Sequence, residues 1–110
     1  MPDVSKKYYH NQPTTALTTL VAAVPAATVY QVRMIHISNL TAAVATVTLH
    51  QVPSGGVAGP TNNITPPIST PPNGITQVTG LFPMEAGETI QGLQTTAAAC
   101  TVMITGVTTT

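Results

Sequence analysis

The chain has 110 residues, one cysteine and a formal net charge of zero, and only 5% of its residues are charged where about 25% is usual. That length gives a single domain, able to bury about two thirds of its unfolded surface without metal or disulfide support. Three basic against three acidic residues exclude the basic stripe that a phosphate backbone requires, so nucleic acid is not an expected partner.

Neutral groups must finish the surface, and threonine supplies most of them, with 21 Thr against 4 Ser. A β-branched residue fits a pleated surface while its hydroxyl still satisfies water. Ten Pro, eight Gly and no window rich in Ala, Leu, Glu and Lys with a 3.6-residue period argue against helix, and the class is all-β. A chain so poor in charge lacks the repulsion that keeps domains apart, and its faces lose water at low cost, which suits a permanent assembly.

In chain order, residues 1–13, MPDVSKKYYHNQP, hold two of the three cations and two of the three tyrosines, with no periodicity. They are expected as an extended N-terminal arm, with 14–110 a single sandwich domain that folds without it. Lys6, Lys7, Tyr8, Tyr9 and His10 are its candidate partner contacts, two charges for an acidic partner and two rings that bury area while keeping a hydroxyl partner. Lys6 and Lys7 before ALTTLVAAVPAA imitate a secretory leader, but Thr18 and Thr19 dilute the apolar run, and it is taken as an uncleaved strand over 14–24. Pro25, which has no N–H to give a ladder, ends that strand in the turn Val24-Pro25-Ala26-Ala27. No segment approaches the roughly 18 apolar residues of a membrane span.

Residues 28–52, TVYQVRMIHISNLTAAVATVTLHQV, are expected as one β-hairpin. Ala45, Val47 and Leu49 alternate with Thr46, Thr48 and His50. In the first half Tyr30, Val32 and Met34 share one parity and Ile35 and Ile37 the other, so that strand is either covered on both faces or changes phase at a bulge near 33–35. Asn39 is expected to supply the unusual backbone angles of the turn. Residues 53–74 are dominated by Pro and Gly and form a long excursion in which only short pieces such as 63–65 pair. Further strands follow over 75–82, bent at Gly80, over 89–95 after a tight PMEAGET turn, and over 101–107, where Gly106 marks a bulge. The architecture these imply is an antiparallel β-sandwich of immunoglobulin-like or jelly-roll type.

Residues with chemical potential are few. His36 and His50 become cross-strand neighbours in some hairpin registers, but a zinc site needs three or four ligands and nothing nearby completes it. Glu85 and Glu88 flank a glycine on one solvated turn, unlike the opposed carboxylates of a glycosidase. Cys100, among alanines, is expected as a small buried hydrophobe. No nucleophile elbow, phosphate loop or CxxC is present, and the sequons at Asn39 and Asn63 are ordinary in a Thr-rich chain. The expectation is a protein with no enzymatic activity, cofactor or metal.

The ordered segments TLVAAVPAATVYQVRMIHISNLTAAVATVTLHQVPSGG, MEAGETIQGL and VMITGV resemble small virion structural proteins of tailed bacteriophages. The shared features are the Val24-Pro25-Ala26 turn, a strand ending in Asn39, the Val47-Thr48-Leu49 strand, the loop at 53–56, the acidic turn at 85–90 and the closing strand at 104–107. Ala27 stands where such proteins often carry Gly, and the chain ends in Thr rather than an acidic residue. The resemblance implies a virion protein, assembled in the host cytoplasm, and leaves head, neck and tail open. The low charge, the arm and the long loop at 53–74 favour a capsid decoration or cement protein bound to the major capsid protein, homo-oligomeric and expected as a trimer. A receptor-binding, fibre or neck module of the tail is the alternative.

Overall fold

A computed structural model describes residues 4–64 and 66–109. Eight strands fill them: β1 Val4–Asn11, β2 Thr18–Val21, β3 Val29–Asn39, β4 Ala45–Val52, β5 Ile68–Thr70, β6 Ile75–Met84, β7 Thr89–Gln94 and β8 Cys100–Thr109, with a single 3₁₀ turn at Pro60–Asn62. They form two antiparallel four-stranded sheets, β1-β8-β3-β6 and β2-β7-β4-β5, packed as a slab of 45 × 27 × 19 Å. The all-β sandwich expected from the Thr/Val alternation is what the chain forms.

The core lies between the sheets. Val32, Ile35, Ile37, Val102 and Ile104 face inward from the first sheet and Val47, Leu49 and Ile90 from the second, all with no exposed surface. Alternation places them: along β4 the odd residues from Ala45 to Leu49 are buried while Thr46, Thr48 and His50 are half-exposed. β3 needs one extra residue to keep its inward parity. Val32 pairs with Gly106 and Met34 with Thr105, so Arg33 is spliced between two consecutive partners on β8. This is the phase change anticipated near 33–35.

Residues 28–52 differ from the expected hairpin. β3 lies in the first sheet and β4 in the second, and they face each other across the core. The connection is not a two-strand turn, because its backbone is satisfied elsewhere: Asn39 N–H donates to Gly74 O at 2.9 Å, Leu40 N–H to Ala99 O at 2.8 Å, and Thr41 O accepts from Asn73 N–H at 2.9 Å. Asn39 does not take left-handed angles. It is buried, and its amide nitrogen donates to Ala43 O, Thr70 O and Pro71 O while Oδ1 accepts from the Thr41 N–H and hydroxyl.

The excursion at 53–74 contains one strand the sequence did not show, β5, paired with β4. Asn63 forms a bridge to His50, and Thr65 lies outside the described residues. Residues 1–3 of the expected arm are also outside them. Residues 4–11, expected to stand apart from the sandwich, are extended but are hydrogen-bonded along β8 as its edge strand. The reason is in Tyr8 and Tyr9, whose half-buried rings pack against the core.

Candidate functional site

The most built feature of the surface is a line of irregularities across the first sheet. Relative to β8, β1 carries an extra residue at Tyr8 and β3 an extra residue at Arg33; opposite Arg33, β6 places two, Gly80 and Leu81, between Thr79 and Phe82. Bulges bend strands and re-aim side chains. At their meeting point stands Gly106, paired with Lys6 on one side and Val32 on the other. A Cβ there would run into the Gln31 carbonyl, so only glycine fits.

The result is an open groove of about 490 Å³ over Gly106, lined by Ser5, Lys6, Lys7, Arg33, Thr105 and Val107. The three cations are all the Lys and Arg in the chain. Lys6 Nζ lies 5.7 Å from the centre of the Tyr30 ring, within cation–π range. Lys7 Nζ is 3.4 Å from His10 Nδ1, and Arg33 Nη2 makes a long 3.5 Å contact with Gln31 Oε1. Among the described residues no carboxylate pairs with any of them.

The two described carboxylates gather at the far edge of the same sheet, on the turn after β6. Glu88 Oε1 accepts from Glu85 N–H at 2.7 Å and from Gln51 Nε2 at 3.4 Å, while Glu85 is exposed. They share one solvated turn, as their spacing indicated.

Tyr8 and Tyr9, anticipated as rings offered to a partner, are used by the chain itself. Tyr8 stacks on Tyr30 with centroids 4.5 Å apart, and its hydroxyl shares a 2.9 Å hydrogen bond with Thr108 Oγ1. Burial pushes the Tyr8 phenol above its ordinary value, partly opposed by the Thr108 bond, and burial does the same to Tyr9. Of the five candidate contact residues, Lys6, Lys7 and His10 remain exposed.

His36 and His50 are not neighbours, because their strands belong to different sheets. His36 accepts at Nδ1 from Gln77 Nε2 at 3.0 Å, and its Nε2 donates to Ser38 Oγ at 3.3 Å. His50 donates from Nδ1 toward Gly59 O at 3.1 Å and Asn62 Oδ1 at 3.2 Å, fastening the long loop to β4. Among the described residues no three side chains of His, Cys, Asp or Glu gather as a metal site. Cys100 is fully buried, and burial pushes its thiol up. Gln94 went unread as a polar bracket: buried, it accepts Cys100 N–H at 2.7 Å on Oε1 and donates from Nε2 to Pro13 O. Its signal was a polar residue at a buried parity of β7, in step with Ile90 and Gly92.

No family model matches the sequence, and no curated protein does. A structure of infectious bursal disease virus Gt strain aligns with 97% of this chain and 28% of its own, at 10% identity and a TM-score of 0.32. At that score the likeness adds nothing to the all-β architecture described above.

Proposed function

We propose that the chain is a non-enzymatic virion structural protein, and most concretely a capsid decoration (cement) protein that binds the assembled phage head beside copies of itself. The observation that supports it is the surface. Among the described residues, outside one cationic groove and one acidic turn, the sandwich is finished with hydroxyls, amides and exposed apolar side chains such as Leu40, Val44 and Val57, which a neighbour covers without stripping water from charges. The resemblance of the ordered segments at 18–107 to tailed-phage virion proteins supplies the setting. Attachment to the major capsid protein then rests on these neutral faces, through apolar contact and hydrogen bonds rather than ion pairs.

Quantitative mass spectrometry of purified particles tests this reading. A copy number comparable with that of the major capsid protein is expected. A number matching the few copies of a tail component would move the chain to a receptor-binding or fibre role, and its absence from particles would overturn the proposal.

A further inference from the structure

Charge is distributed across the first sheet with a direction. β1, one edge, carries Lys6 and Lys7, whereas β6, the other edge, has no charged residue in ten and exposes Ile75 and Leu81 by about three fifths of their surface. Edge strands are normally protected from other chains by charge. β6 lacks charge; its protection, Pro83 and the Gly80–Leu81 bulge, is confined to its second half, which leaves 75–79 open to pairing, and the strand is followed at once by the Glu85–Glu88 turn.

Strand directions and register make the two edges complementary. β1 is antiparallel to β8, β8 to β3 and β3 to β6, so β6 runs opposite to β1. A second copy placed alongside in the plane of the sheet sets its β1 antiparallel to the first copy's β6. The rows also match: Met84 lies level with Tyr30, Thr108 and Val4, and Phe82 with Val32, Gly106 and Lys6. Without any slide, Glu85 of one copy falls about 10 Å along the strand from Lys6 of the next, a span that a glutamate and a lysine side chain cover between them.

We infer that the chain associates head to tail, the β6 edge and Glu85 turn of one copy docking on the β1 edge and cationic groove of the next. The inference deepens the structural role proposed above by naming the surfaces through which copies meet. Backbone pairing and the apolar β6 residues supply contact, and the charges choose the partner edge and suppress β6 against β6. Such an interface is heterologous: each copy uses two different patches, and repetition gives a ring or an open string.

Sedimentation velocity of the full chain, from micromolar to millimolar concentration at low and physiological salt, tests this. The parent is expected to form species heavier than a monomer. Glu85→Lys, and Lys6→Glu with Lys7→Glu, should each weaken association by roughly tenfold through like-charge contact. An equimolar mixture of the two variants should recover it, because each then presents the sign the other lacks. Circular dichroism of each variant confirms that the β fold is kept, and recovery in the mixture is itself evidence of intact folds. A parent that stays monomeric, a Lys6/Lys7 variant that associates as well as the parent, or a mixture that recovers nothing overturns the inference. Association in solution is measured without particles, so its failure is distinct from absence from the virion.

Discussion

Ala27 and Ala98 hold φ angles of 59° and 57°, left-handed values that cost an L-residue roughly 1–2 kcal/mol and cost glycine nothing. Ala27 is also the position at which the resembled proteins often carry Gly. Glycine gives back part of the gain through its freer unfolded chain, so Ala27→Gly should stabilise by about 0.5–1 kcal/mol. In a domain of this size that raises the melting temperature by a few degrees, measurable by calorimetry. The tyrosines give a second expectation. Burial raises the folded-state pKa of Tyr8 and Tyr9 above the unfolded value, so the folded state holds these protons longer. Their stabilising effect is complete below the ordinary tyrosine pKa of about 10 and is lost as pH rises through the folded values. Denaturant unfolding between neutral pH and alkaline pH should show this loss, and Tyr8→Phe with Tyr9→Phe should flatten it.

Among the elements, β8 bears the tightest constraint. Gly106 lies where three strands meet, with the Gln31 carbonyl occupying the place of a side chain, so Gly106→Ala must push β3 and β8 apart. A loss of several kcal/mol is expected, comparable with the whole stability of a small domain, and poor recovery of soluble protein would report it. Strand β4 was legible because Ala45, Val47 and Leu49 alternate with Thr46, Thr48 and His50, β7 and β8 because a tight turn and a run of alanines set off short stretches rich in Thr and aliphatic residues, and the phase change in β3 because Val32 and Ile35 cannot both face inward without an extra residue. The partner of β3 was not legible. A short connection between two amphipathic strands fits a hairpin and a crossing between sheets equally well, and here the decision belongs to the buried Asn39 amide and to loop carbonyls remote in sequence. β5 was hidden by its three-residue length, and β1 by a composition of lysines and tyrosines that suits an arm until Tyr30 and Thr108 are brought beside it. The candidate site was half visible: Lys6 and Lys7 stood out, but nothing in the order of residues joined Arg33 to them across β8.

For the molecule as a whole, β1 closes the first sheet, and removing it should matter to stability. Deletion of residues 1–11 uncovers the edge of β8 and takes away the Tyr8 and Tyr9 rings, which together represent a few kcal/mol of buried apolar surface. A fall in melting temperature of about 10 °C or more is expected, in contrast to the unchanged stability of a chain losing a loose arm. The aligned bulges carry one more consequence, for how the gene tolerates a change of length. If Arg33 is struck out of β3, the remaining order Val32, Met34, Ile35 alternates in and out without a break against Gly106, Thr105 and Ile104. The strand is therefore two phrases in different reading frames, joined by a single spare letter. Losing that letter leaves every buried side chain of β3 facing the same way, while losing any of its buried neighbours turns half the strand inside out.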